Sequence, residues 1–197
     1  MNPAMNELYR QYSQRLSDAV SHGPVSAIEG LASALLAALH GRNQVFIAGN
    51  GGSAGNAIHL ANDFLYGMGR DAGIGLRVEA LSANASVMTC LANDLSYEEV
   101  FAEQVRIKGQ PGDILIVLSG SGNSPNVVRA IEAAHAREMK TFAVLGYSGG
   151  RCKEIAQVPI HFAVDDMQIA EDLQLVVGHV CMQWVREQLK AAKDHPR

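Results

Sequence analysis

The chain has little aromatic character, few cysteines, no long apolar run and no excess of positive charge, and each shortage excludes something. Aromatic residues make up 6% of 197 residues and charged residues 18%. The three cysteines, Cys90, Cys152 and Cys181, are odd in number, far apart and without a C-x-x-C pair. That pattern fits reduced, mostly buried thiols rather than a disulfide framework or a thiolate metal site. The longest purely apolar runs are strand-sized, so no membrane span is expected. The opening stretch MNPAMNELYRQYSQRL has no apolar signal core, and a cytoplasmic location is the default expectation. A formal net charge of -4 without a basic cluster gives no reason to expect a nucleic-acid partner. Internal repeats and low-complexity tracts are missing too.

What is present is a globular balance: 48% hydrophobic residues, with alanine, leucine, valine and glycine plentiful. The length suits one domain with a sizeable core. Two helices are expected first, over Met5–Ser21 and Val25–His40. Gly23-Pro24 breaks between them, and Gly41 is the expected stop. Strands are expected at Gln44–Ala48, Leu76–Leu81, Ile114–Leu118, Phe142–Leu145 and Pro159–Val164. Three of these are near-continuous apolar runs, as in strands buried on both faces of a parallel sheet. Between them, helical stretches are expected over Ser53–Gly67, Ser96–Lys108, Pro125–Arg137 and near Cys152. A last long helix is expected over Met167–Ala192. Alternating strands and helices predict a three-layer αβα sandwich around a five-stranded parallel sheet. The last helix carries apolar residues over most of its circumference. It is either wholly internal or partly covered by another subunit.

Two loops stand out. Gly49-Asn50-Gly51-Gly52-Ser53 follows the first strand and opens a helix. Its glycines allow a tight turn close to a ligand, and helix N-termini favour anions. The competing reading is a plain turn capped by Ser53. The loop is neither a dinucleotide fingerprint nor a Walker loop. The second loop, Ser119-Gly120-Ser121-Gly122-Asn123-Ser124-Pro125, places three hydroxyls among free amides. Ser124 is the expected N-cap and Pro125 the first helical residue. One hydroxyl suffices for capping, so Ser119 and Ser121 point to a neutral phosphate cradle. His59 and Asp63, four apart, share a helix face; they suit one metal ion, an acid–base pair or a surface hydrogen bond. On the last helix Glu171 and His179 lie roughly 12 Å apart along the axis at 1.5 Å per residue, with Gln174 between them. His179 is a metal ligand, a catalytic group or a hydrogen-bonded core histidine.

In order and spacing these residues resemble the SIS sugar-isomerase family and, within it, the phosphoheptose isomerases. The marks are Gly49–Ser53, His59, Ala92-Asn93-Asp94 followed by Tyr97 and Phe101, Gly112-Asp113, and Ser119 to Asn126. Glu171 and His179 fall at functional positions, and the resemblance covers nearly the whole chain. It implies one SIS domain over residues 1–197, with a flavodoxin-like sheet in 42–197 and helices in 1–41 used for oligomer packing. It implies a homotetramer with active sites between subunits. It also implies a zinc ion held by His59, Asp63, Glu171 and His179. Asp63 stands where the family has Glu, and Glu171 where Gln is usual; both keep an oxygen donor. The family's arginine after the metal helix is not aligned, with Gly67 there and Arg70 nearby.

The implied activity is aldose–ketose isomerisation of sedoheptulose 7-phosphate to D-glycero-D-manno-heptose 7-phosphate through an enediol. The product would serve lipopolysaccharide or capsule heptose synthesis. Asn50, Gly51, Gly52, Ser53, Ser119, Gly120, Ser121 and Ser124 are expected to bind the substrate, with Asn93 and Asp94 orienting its hydroxyls. Asp63 or Glu171 is the expected base and His179 the group that returns a proton. Two rival readings are a non-catalytic tetrameric platform for a replication initiator and a sugar-phosphate sensor. No redox cofactor is expected.

Overall fold

A computed structural model describes residues 3–70 and 73–194. Helices α1 (Pro3–Ser21) and α2 (Val25–Gly41) lead into strand β1 (Gln44–Gly49). There follow α3 (Gly52–Asn62), a π-helical turn (Asp63–Gly67), β2 (Arg77–Ala80), α4 (Ala85–Asp94) and a 3-10 turn (Tyr97–Glu99). Then come α5 (Ala102–Lys108), β3 (Ile114–Ser119), α6 (Pro125–Ala136), β4 (Lys140–Leu145), α7 (Gly150–Ile155), β5 (Val158–His161) and α8 (Met167–Asp194). All five strands are parallel, in the order β2-β1-β3-β4-β5. This is the expected αβα sandwich.

Strand periodicity divides the core. Val45, Ile47, Ile114, Ile116, Leu118, Phe142 and Val144 face one side, where they pack against apolar residues of α2, α3 and α8. Phe46, Ala48, Leu115, Val117, Ala143 and Leu145 face the other, against α5, α6 and α7. Every residue of β3 is buried, as its unbroken apolar run predicts for a central strand. Helix α8 turns Leu173, Val177, Cys181 and Val185, each four apart, onto the core. Its opposite side stays open in this chain, with Val180 50% exposed. Cys152 and Cys181 are buried, and burial pushes both thiols up to about 12, whereas Cys90 is exposed.

Three local expectations are revised. Helix α4 is not among the expected helices, and its apolar side, Met88, Leu91 and Ala92, is only partly buried. It is set instead by its cap: the Asn84 side chain accepts from the Val87 amide at 3.2 Å. The continuous helix expected over Ser96–Lys108 is a 3-10 turn and a shorter helix. Finally, α2 does not stop at a left-handed glycine. Gly41 is its last helical residue, and Arg42 takes the left-handed conformation at φ 60°. An added Cβ at Gly41 would lie 2.6 Å from Asn43 Oδ1, at the end of a side chain that can turn aside.

Candidate active site

Strand order makes the site. β1 and β3 are neighbours, with Gly49 opposite Leu118, and the chain leaves them toward opposite sides of the sheet. The two loops therefore emerge side by side at the topological switch point, where open α/β sheets bind ligands. They enclose a pocket of 260 Å³ whose lining includes Asn50–Ser53, Ser119–Ser121, Ser124, Met167 and Glu171. Eight expected substrate-binding residues are thus brought together with Glu171.

The serine hydroxyls are oriented for an anion. Ser119 Oγ accepts from the Gly122 amide at 3.0 Å, and Ser121 Oγ accepts from the Asn123 amide at 3.3 Å. Each oxygen is engaged as an acceptor, so its own proton is free to donate. Ser124 holds the N-cap position of α6, but its side chain makes no capping bond and is left for the pocket. Ser53 does not cap α3 either; that position belongs to Gly51 at φ 54°. Buried Ser53 Oγ accepts from Gln174 Nε2 at 2.9 Å, which ties the first loop to α8. Gln174 Oε1 in turn accepts from Asn56 Nδ2 at 3.0 Å.

A second tie joins the loops. Asn50 and Asn126 exchange amide hydrogen bonds at 2.9 and 2.8 Å, and the Tyr97 hydroxyl donates to Asn50 Oδ1 at 2.9 Å. Asn126 is 1% exposed, so this pairing is what satisfies a buried amide. Asn50, expected at the substrate, is thus also a tie between the loops, and Asn56, Gln174 and Met167 join the site beyond the residues expected to bind substrate. The available signal was polarity inside apolar stretches: Gln174 sits between Leu173 and Leu175.

Further along the paired helices, His59 and Asp63 meet His179. The two Nε2 atoms are 3.0 Å apart, and Asp63 Oδ2 lies 3.4 Å from His59 Nε2 and 3.3 Å from His179 Nε2. Asp63 opens the π turn, where Met68 N bonds Asp63 O at 2.9 Å, a feature frequent at functional sites. Ligands about 2.0–2.2 Å from a tetrahedral ion stand about 3.3–3.6 Å from one another; both carboxylate–imidazole spacings match this, and the 3.0 Å between the two Nε2 atoms is shorter. Two imidazoles and one carboxylate form a donor set of the catalytic type, which leaves a position for substrate. Among the described residues this is the one group of three or more such donors that meets the spacing for an ion. Glu171 is not part of it. Its carboxylate lies over Gly52, where an added Cβ would stand 2.2 Å from Oε2. Asn93 and Asp94 are exposed at the end of α4 and do not line the pocket. They engage each other at 2.8 Å, and the Asn93 and Cys90 hydrogen bonds hold the Asp94 carboxyl below its ordinary value.

The fold and this pairing of a hydroxyl cradle with a His-Asp-His cluster define a sugar-phosphate isomerase of the SIS type. Residues 8–146 match the SIS domain family model, and the chain belongs to that family. Within it the relatives are phosphoheptose isomerases. That of Synechocystis is 36% identical over 192 residues, covering 96% of this chain and 97% of the relative. That of Alteromonas mediterranea is 41% identical over 171 residues, 85% of each. The phosphoheptose isomerase GmhA from Neisseria gonorrhoeae superposes with a TM-score of 0.84 at 27% identity, over 93% of this chain and 99% of that one. The Francisella tularensis enzyme gives 0.86 at 26%, over 93% and 97%. The protein is an enzyme of the isomerase class.

Proposed function

We propose that the substrate is sedoheptulose 7-phosphate and the product D-glycero-D-manno-heptose 7-phosphate. The observation that carries this reading is the convergence of His59, Asp63 and His179 within 3.4 Å, on the same two helices whose N-terminal ends border the serine pocket. The phosphate is held by Ser119, Ser121, Ser124 and the amides of both loops, without a cation. The carbon chain runs from there toward the histidines.

His59, Asp63 and His179 would hold zinc, which supplies a Lewis acid at the carbonyl and eases charge build-up on the enediol. The carbon-bound proton must pass from C1 to C2 and the hydroxyl proton from O1 to O2. Two carboxylates are available as base, and Glu171 is favoured over Asp63. Asp63 Oδ2 is already between two imidazoles, whereas the Glu171 carboxylate has no side-chain partner among the described residues and sits in the pocket. His179 Nε2 faces Asp63 at 3.3 Å. As a ligand, that nitrogen is not free to donate, so Glu171 carries the proton across both carbons. Asn93 and Asp94 are proposed to reach the sugar across a subunit boundary.

A cytoplasmic homotetramer packed through residues 1–41 and α8 is part of this reading. It is supported by exposed Met5, Leu8 and Tyr9 on α1 and by Val180 on α8. Among the described residues no single helix is long and apolar enough to cross a membrane. The test is turnover of sedoheptulose 7-phosphate by zinc-loaded and chelated protein, with Asp63→Ala and His179→Ala alongside. Absence of turnover in the zinc-loaded wild type would favour the non-catalytic platform instead.

A further inference from the structure

The opposite end of the sheet carries a second polar cavity. Its volume is 530 Å³, and its lining includes Arg42, Asn43, Arg77, Glu79, Lys108 and Asp113, around the amino ends of β1, β2 and β3. β1 and β3 each run from this cavity to the serine pocket, so the two sites are separated by the length of a strand.

Three cations line it against two carboxylates, a positive balance in a chain of net charge -4. Both carboxylates are already committed. Asp113 Oδ1 accepts from the Gln44 amide at 2.8 Å and Oδ2 from the Gln110 amide at 2.9 Å. Glu79 Oε1 accepts from Lys108 Nζ at 2.6 Å. Neither Arg42 nor Arg77 has a carboxylate partner among the described residues. Arg77 is held in place by donating Nη1 to the Arg42 carbonyl at 3.0 Å. Arg42 occupies a left-handed C-cap at φ 60°, where glycine or asparagine is the usual residue. Two guanidinium groups side by side, one of them tethered and neither with a carboxylate partner among the described residues, suit an anion. Guanidinium forks match phosphate oxygens two at a time. The cavity exceeds what one inorganic anion fills and falls in the range of small-metabolite sites.

We propose that this cavity binds the phosphate or pyrophosphate group of a small phosphorylated metabolite, gripped by Arg42 and Arg77 and flanked by Lys108. The site is distinct from the isomerase pocket and does not depend on the function proposed for it.

Isothermal titration of the full chain at low salt, with inorganic pyrophosphate and separately with adenosine diphosphate, tests this. Arg42→Gly removes one guanidinium while easing the left-handed backbone, and Arg77→Ala removes the other. Melting temperature and oligomeric state serve as controls for folding. The expected result is one class of anion site that weakens about tenfold or more in each variant. Sites in the serine pocket persist in both, so their presence or absence reports on that pocket alone. Binding of adenosine diphosphate as well as pyrophosphate identifies an esterified ligand; pyrophosphate alone identifies a free inorganic anion. Anion binding of equal stoichiometry and affinity in wild type and both folded variants overturns the proposal, as does a wild type that binds neither probe outside the serine pocket.

Discussion

Gly52 is the position at which one methyl group separates activity from stability. Its ideal Cβ would stand 2.2 Å from Glu171 Oε2, 2.4 Å from Oε1 and 2.5 Å from Cδ. A real carbon–oxygen contact needs about 3.2–3.4 Å, so Gly52→Ala must drive the carboxylate back by roughly 1 Å, at the low cost of turning a long side chain. Gly52 is the first residue of α3 and does not need a positive φ, so alanine fits the backbone. Replacing glycine there should leave stability unchanged or raise it by up to about 1 kcal/mol. A displacement of about 1 Å at a reacting group costs on the order of 100-fold in rate. Steady-state kinetics on sedoheptulose 7-phosphate should therefore show kcat down about 100-fold, beside an unchanged or higher Tm. Glu171→Ala should lose at least as much. The double variant Gly52→Ala/Glu171→Ala should fall no further than Glu171→Ala alone, because both changes act through one carboxylate. Additive losses, or wild-type kcat in Gly52→Ala, would refute the placement of Glu171 at the reacting carbons.

Zinc at about 100 times its dissociation constant should stabilise the native chain by about 2.7 kcal/mol. For a chain of this size that is a Tm rise of about 5–10 °C. Scanning calorimetry should show this rise in wild type, its loss with chelator, and its absence in His59→Ala and His179→Ala; an equal rise in the variants would place the ion elsewhere. Asn126→Ala strands the Asn50 Nδ2 donor, while Oδ1 keeps the Tyr97 hydroxyl, and should cost about 1–3 kcal/mol. It should also raise KM more than it lowers kcat, read from denaturant melts and kinetics; an unchanged KM would show that the first loop does not need this tie. Tyr12 donates to Asp172, and burial first, then that hydrogen bond, push its phenol up to about 12. Its folded value lies above the unfolded value near 10, so its contribution is complete below pH 10 and is lost as pH rises through about 12. Ultraviolet titration should show a tyrosine step near pH 12, and Tyr12→Phe should remove that step.

Much of the architecture was legible because burial leaves a period in the sequence. The unbroken apolar run Ile114–Leu118 announced a strand covered on both faces, and β3 is that strand. The spacing of His59 and Asp63 put them on one helix face, and their donor atoms do converge there with His179. Helix α4 was harder to read: none of its residues is fully buried, Met88, Leu91 and Ala92 pack only partly against the core, and one asparagine cap is a weak mark. Glycine spacing identified both loops but left open how their serines are used. Ser124 holds the N-cap position without a capping bond, and Ser53 Oγ accepts from Gln174 instead of capping α3. The reason is that capping depends on local geometry, while Gln174 reaches Ser53 from 121 residues away.

Local chemistry therefore belongs to the sequence by itself: which segments are strands, which loops can hold an anion, which side chains can bind a metal or move a proton. Only the tertiary structure decided which of these meet. Strand order set the two loops side by side, and the packing of α3 on α8 brought His179 within 3.0 Å of His59 while leaving Glu171 over Gly52. Periodicity records how each segment faces a core, but not which segment lies across it. That is settled by how several surfaces fit at once, which no single stretch of residues encodes.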